Sequence, residues 1–502
     1  MGARPVVMHK EVRVAYIPSE LPAWIDVAHR LRGREGMDFR LWLSGTRFGV
    51  LDRVKEEFPQ AVVLSKMDLR DEPWARRLIF SNEAPLCKET LEEISPHWET
   101  VMSLWSRTWS IDTEVDMLYS QGRHRIYILY AKLRSLLVEL QINVAIFCES
   151  PHSLSGYLLY VAAKSVGVQT LMFRSTSLPN LVYPTDSIGG GRLFRAPTLD
   201  VDGVANVFMK NTDVSEFLRK IREDRVIEHN YMEVQRKYRE AYSQGNAVFA
   251  LRTAGGILRS FFKSRGSLEE LWRYVGRRLG LMRRNRLPLA YSRHVREVCG
   301  GQRYVLVALH YQPERTTCPE GGIFDEQSLV IRMIADCLPS GWIVVVKEHP
   351  SQFQPNFRGH LGRHAEFYEV LSQVPRVQFC SIDTPNTALI DGAEAVATVT
   401  GTIGFEAALR GVPCLYFGHP WYKGMPGTFA VRTCSDLAAA LEQVKLRIEI
   451  DQAEVDRFVA EVVSVSIRGH LNPSNSKCSS VSDEEWVENF ATSIHDGVGE
   501  VL

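Results

Sequence analysis

Short runs of apolar residues recur along this chain with helix-length amphipathic stretches between them, and no other feature limits the fold as strongly. Residues 12–17, 39–43 and 62–64 read as strands, with a helical pattern near 23–31. A long amphipathic stretch at about 115–140 leads into a buried strand at 144–148 that ends at Glu149. A helix at 156–166 and a strand at 170–173 follow. Strands interleaved with helices predict βαβ units around a parallel sheet.

From about 202 to 296 the strand signal gives way to helical periodicity, and at 304–309 the alternation restarts. A helix at 327–338 is followed by strands at 342–346, 377–379 and 395–400, a helix from Gly404, and a strand at 414–417. The expected class is therefore α/β: two Rossmann-like lobes with a helical middle segment and a helical C-terminal tail. The boundaries expected are 1–200 for an N-terminal lobe, 201–300 for a basic helical connector, 301–450 for a C-terminal lobe and 451–502 for the tail. The 502 residues suffice for two or three domains with their own cores.

Composition narrows the function classes. Hydrophobic residues at 45% and charged residues at 24% are those of a globular protein and exclude dominant disorder. No apolar run reaches the ~18 residues of a membrane span. The N-terminal residues lack the apolar core of a signal peptide. Nine cysteines, with no Cys-x-x-Cys pair, suggest neither a disulfide framework nor a zinc site, so a reduced, cytoplasmic setting is expected. Fifty-nine basic against 59 acidic residues argue against a uniformly basic polyanion binder. That balance is a cancellation, because residues 252–296 carry twelve Lys or Arg against two Glu. This basic amphipathic stretch suits an anionic membrane surface or an anionic glycan, or else a helix that buries its apolar face between lobes. No base-stacking module accompanies it, so no nucleic acid is expected.

In open α/β sheets ligands bind beyond the carboxyl ends of strands, so residues leaving each strand are the candidates. Thr400-Gly401-Thr402-Ile403-Gly404-Phe405-Glu406 turns from a strand into a helix. Its glycines would allow close backbone approach to a phosphate, with Glu406 within reach of a ribose. Lys347-Glu348-His349-Pro350 offers two cationic donors beyond another strand. The loop from His310 through Gln312 and Glu314 to Asp325-Glu326-Gln327 offers carboxylates for acid–base or nucleophilic work. In the first lobe Glu149-Ser150-Pro151-His152 follows a buried strand. Asp200-Val201-Asp202 has the look of a metal-diphosphate pair, but so short a match arises readily by chance, and no metal site is expected.

In order and spacing, these segments resemble the bacterial capsule polysaccharide biosynthesis proteins, a group that includes transferases of the sugar acid Kdo. The resemblance is carried by His310-Tyr-Gln-Pro-Glu-Arg-Thr-Thr, Gly321-Gly-Ile-Phe-Asp-Glu-Gln and Val346-Lys-Glu-His-Pro. It continues in Thr400-Gly-Thr-Ile-Gly-Phe-Glu-Ala-Ala-Leu-Arg-Gly-Val-Pro and Phe417-Gly-His-Pro-Trp-Tyr. It covers about 304–432. The family implies a GT-B glycosyltransferase with the nucleotide donor on the C-terminal lobe and the acceptor on the N-terminal one. No cofactor or metal is implied beyond the CMP-sugar donor substrate.

For such a transfer Gln312, Lys347, His349, Pro350, Thr400, Gly401, Thr402 and Glu406 are the donor-binding candidates, by their place beyond the strands. Glu149, Glu314 and Asp325 are the catalytic candidates, with Glu149 on the acceptor side. His349-Pro350 matches the His-Pro pair that recurs near the donor phosphate; His419-Pro420 is a second such pair. The expected reaction is transfer of a sugar acid such as Kdo from a CMP-activated donor to a glycan or glycolipid hydroxyl, at the inner face of the cytoplasmic membrane. Two rivals stand beside it. One is a polyol-phosphate transferase using a CDP-activated donor, and the other is a non-catalytic scaffold of the assembly complex.

Overall fold

The structure, a computed structural model, describes residues 11–19, 21–44, 50–65, 87–109, 119–190, 198–223, 287–314, 316–354, 359–471 and 479–501. It divides into two units, residues 1–214 with 457–502, and residues 215–456. The basic stretch of 252–296 lies outside the described residues up to 286; its remainder holds the helix Leu287–Ser292.

The strands of the first unit are β1 (Arg13–Ile17), β2 (Asp38–Ser44), β3 (Val62–Ser65), β4 (Val144–Phe147), β5 (Gln169–Ser175) and β6 (Leu181–Thr185). Those of the second are β7 (Tyr304–Ala308), β8 (Ile343–Lys347), β9 (Val377–Phe379), β10 (Ala395–Thr398), β11 (Cys414–Tyr416) and β12 (Thr428–Ala430). The two-residue β13 (Ile467–Arg468) returns to the first unit.

The second sheet runs β12-β11-β10-β7-β8-β9, and every pairing is parallel. Strand β8, Ile-Val-Val-Val-Lys, shows why: its centre is apolar on both faces, which suits a sheet covered on both sides by helices. The first sheet runs β13-β6-β5-β4-β1-β2-β3; β1 to β5 are parallel, while β6 and β13 add antiparallel edges. In both sheets the strand order reverses beside the first strand. That doubly wound order opens a crevice between β1 and β4 in one unit and between β7 and β10 in the other.

The C-terminal residues do not form the separate tail expected from the sequence. Helix Asp483–Val501 packs on helix Ala23–Glu35 and on β5. Trp486 and Phe490 each lie edge-on to Trp24, with ring centroids 4.8 Å apart, and the Trp486 indole donates to His470 O at 3.0 Å. The helix's apolar face thus completes the first unit's core. No helix among the described residues is long and apolar enough to cross a membrane.

Candidate functional site

The chain leaving β7 enters the reversal point of the second sheet, and two buried glutamines shape it there. Gln327 Oε1 accepts the His310 N–H at 2.7 Å, and its Nε2 donates to His310 O at 3.4 Å. Gln352 does the same for Gln312, accepting at 2.8 Å and donating at 3.0 Å, and also donates to Gly359 O at 2.7 Å. A side-chain amide offers a donor and an acceptor side by side, so each glutamine stands in for a missing ladder neighbour and satisfies buried backbone. Gln312 itself is buried, with its Nε2 on the Thr317 hydroxyl.

This frame places the His310 imidazole across the reversal point. Its Nε2 accepts the Thr400 N–H at 3.2 Å and lies 3.1 Å from Thr398 Oγ1, at the end of β10. An accepting Nε2 leaves the ring proton on Nδ1. Nδ1 faces Glu314 Oε1 at 3.4 Å, and the Thr316 hydroxyl donates to the same carboxylate. Burial pushes the Glu314 carboxyl up, but the hydrogen bonds and charge of His310, the Thr316 hydroxyl and the nearby His349 outweigh it and hold the group below its ordinary value. Its side chain is still 29% exposed, so the carboxylate is held ionised while open to a ligand.

His349 leaves β8 and caps the following 3-10 turn, Pro350–Phe353, with Nδ1 accepting the Ser351 N–H at 3.2 Å. Its neutral form therefore carries the proton on Nε2. Burial pulls this imidazole below 6.5, against the opposing charges of Glu314 and Glu348. The sign for stability follows: on acidification the unfolded chain takes up the proton near 6.5, before the folded chain does. Stability thus declines as pH falls through 6.5 towards the depressed value. Denaturant titrations at about pH 7.5 and about pH 5.5 are expected to show a larger loss for wild type than for His349→Asn, which lacks this titration.

Lys347 points elsewhere. Its ammonium donates to Thr384 O and to Asn386 Oδ1 at 2.7 Å, and burial lowers its pKa. The 400–406 turn is also largely occupied by its own framework. The Thr400 hydroxyl donates to Thr316 O at 2.9 Å, Gly401 N–H to Thr398 Oγ1 at 3.1 Å, and the Thr402 hydroxyl to Glu406 Oε1 at 3.4 Å. Gly404 answers to packing: a Cβ there would collide with the Tyr422 hydroxyl and Cys414 Sγ. Tyr422 OH in turn donates to Gly401 O at 2.6 Å, so moving it would disturb the turn. Gly404→Ala, stabilising in an ordinary helix, is expected here to destabilise by about 1–3 kcal/mol, read as a lower Tm.

The other candidates are spread around this centre. Pro350 opens the 3-10 turn behind His349. Asp325 closes the 3-10 turn Gly322–Asp325, and its neighbour Glu326 caps helix Gln327–Cys337 through Ser328 N–H at 3.1 Å. His419 N–H donates to Glu320 O at 2.9 Å. Asp200 caps helix Val201–Lys210, which accounts for the Asp-Val-Asp triplet. Among the described residues no group of acidic, His and Cys side chains could hold a metal ion.

Glu149 belongs to the first unit, two residues beyond β4 at that sheet's own reversal point. There His152 Nδ1 donates to Ser150 O at 3.1 Å and lies 3.6 Å from Glu149 Oε1. Ser153 caps helix Leu154–Ser165, so neither Ser150 nor Glu149 is needed for that role.

His310 and Gln327 lie in segments quoted from the sequence but were given no role there, and Gln352 and Arg363 were not singled out at all. Gln352 holds the backbone of Gln312, and Arg363 Nη2 donates to His310 O at 3.0 Å, contacts across 40 and 53 residues that no local pattern signals.

Residues 302–448 match the family described as capsule polysaccharide biosynthesis protein, a span that contains the whole His310–Glu314–His349 centre. The capsule polysaccharide modification protein LipA of Neisseria meningitidis serogroup B is 35% identical over 79 residues, 16% of this chain; the match spans only a tenth of that relative's length. Among solved structures, the β-Kdo 2,7-transferase KpsC of Thermosulfurimonas dismutans aligns over 75% of this chain and 97% of its own, at 12% identity and a TM-score of 0.28. The UDP-GlcNAc 2-epimerase of Methanocaldococcus jannaschii aligns over 90% of this chain and 99% of its own, at 10% identity and a TM-score of 0.25.

Proposed function

We propose that this chain, whose residues 302–448 match the capsule polysaccharide biosynthesis family, is a glycosyltransferase of GT-B type. In this reading it transfers a sugar acid such as Kdo from CMP to a hydroxyl of a surface glycan or glycolipid. The observation that carries the reading is the His310–Glu314–His349 centre, set at the reversal point of a doubly wound sheet and inside the matched segment.

Transfer requires that the leaving phosphate be stabilised as its charge grows and that the sugar's developing positive charge be met. His349 supplies the first through its Nε2–H, since Nδ1 is committed to Ser351. Glu314 supplies the second as an ionised carboxylate, by electrostatic support or by covalent attack on the anomeric carbon. Glu149 takes the acceptor's proton in this reading, with His152 beside it. Lys347 and the Thr400 hydroxyl serve by holding the loops that bring these groups out.

Incubation with CMP-Kdo, CMP-sialic acid and CDP-glycerol tests the assignment, with release of CMP as the readout. Release from a CMP-sugar acid, persisting in EDTA, is expected. Turnover of CDP-glycerol alone would replace the reading with polyol-phosphate transfer. Failure of all three, with no nucleotide binding by calorimetry, would leave a scaffold. Flotation with anionic liposomes tests membrane attachment through 252–296: binding that weakens when arginines there are replaced by alanine is expected, and no binding removes that part of the proposal.

A further inference from the structure

Behind the two imidazoles lies an ion pair whose side chains are 3% exposed for Arg363 and 0% for Glu348. Arg363 Nε donates to Glu348 Oε2 at 2.9 Å and Nη2 to Oε1 at 3.3 Å, while the Tyr368 hydroxyl donates to Oε2 at 2.7 Å. Taking two charges out of water is expensive, and apolar residues of similar volume frequently give equal or greater stability. Stability alone is therefore a poor reason for the pair.

Its remaining valences point to another. Glu348 Oε1 accepts the His349 N–H at 2.8 Å, and Arg363 Nη2 donates to His310 O at 3.0 Å. His310 and His349 leave β7 and β8, whose ladder ends at Ala308 and Lys347. Beyond that point the ion pair cross-links the two diverging chains. The segment carrying Arg363 is seated for the task, because a Cβ on Gly362 would stand 2.6 Å from the Cβ and the Pro313 N of the 312–313 turn. Glu348 is fixed from its other side, where its N–H donates to the Tyr291 hydroxyl at 3.2 Å and that hydroxyl donates to Cys380 O at 2.6 Å.

We propose that Glu348 and Arg363 are positioning residues that set His310 and His349 relative to each other, so that the Glu314 carboxylate and the His349 imidazole meet one donor molecule. The proposal rests on the donor-site reading above. An apolar substitute would fill the space but hold neither backbone group, and a displacement of about 1 Å at a reacting centre lowers rates by about 10²-fold.

The test compares wild type with Glu348→Met/Arg363→Met and with Glu348→Gln. Steady-state kinetics on a CMP-sugar acid are read together with NMR titration of the 15N-labelled His349 ring in free enzyme. The double variant is expected to stay folded, lose about 10²-fold in kcat with KM for the donor moved less than about threefold, and show a changed His349 titration. Glu348→Gln keeps an acceptor for His349 N–H but removes a negative charge, so His349 is expected to titrate lower still. Wild-type kcat and an unmoved titration in the folded double variant would overturn the proposal. Should that variant fail to fold, Glu348→Gln decides by the same two readouts. A wild type that turns over no CMP-sugar while the variants still shift His349 would sink the donor reading and leave the positioning role standing.

Discussion

Glu314→Gln is expected to lower kcat for sugar-acid transfer by about 10³-fold while changing CMP affinity less than about threefold. The asymmetry follows from the surroundings. The carboxylate accepts from the Thr316 hydroxyl and faces His310 Nδ1, two donors that an amide oxygen can also satisfy, so Gln leaves the loop in place. What Gln lacks is the negative charge, which is worth most when the anomeric carbon becomes positive and little while the donor is intact. The same surroundings set the acid limb of the pH profile. Because His310, Thr316 and His349 together overcome burial and hold Glu314 below 4.5, wild-type activity should persist to pH values where an ordinary glutamate is half protonated. A rate for Glu314→Gln within about twofold of wild type would move the carboxylate role to Asp325, which the same substitution there would reveal.

The strand ends that carry this chemistry were readable because both sheets bury their strands. β4, β8 and β10 are largely apolar runs, so the polar residues that end or follow each mark a carboxyl edge; Glu149, Lys347, His349 and Thr400 were found there, and the His-Pro resemblance singled out His349 among them. What the rule cannot say is where each side chain turns. Lys347 and His349 are two residues apart, yet one binds Thr384 and Asn386 while the other stands near Glu314. Gly401 and Gly404 read as a phosphate turn. In the fold Gly404 makes room for Tyr422, a contact across 18 residues that no local pattern encodes. The tail was legible as helix but not as part of the first unit, since Trp24, against which Trp486 and Phe490 pack, lies more than 400 residues earlier. β6 escaped because Pro184 interrupts it; it sits next to the two-residue edge strand β13 and is antiparallel to both neighbours, outside the βαβ rhythm.

Replacing His349 is expected to produce the other large effect, and two substitutions separate its two jobs. The ring caps the Pro350–Phe353 turn through Nδ1 and, in the proposed function, would offer its Nε2–H to the donor. His349→Ala removes both, so it should lower stability by about 1 kcal/mol, a lost cap, and abolish measurable transfer. His349→Asn keeps an acceptor near the Nδ1 position, and Asn is among the best capping residues, so its Tm should stay close to wild type. It carries no donor out to where Nε2–H stood. A hydrogen bond to a charged phosphate is worth about 1.5–3 kcal/mol, so calorimetry should show CMP binding weakened by about 10- to 100-fold in both variants. Turnover should fall further than affinity, because the phosphate gains charge as the glycosidic bond breaks and the missing donor is felt most there. A His349→Asn enzyme with wild-type CMP affinity and turnover would show that His349 serves the turn alone. The leaving phosphate would then have to be met by other groups of the 400–406 edge, of which Thr402 and Glu406 already bond each other.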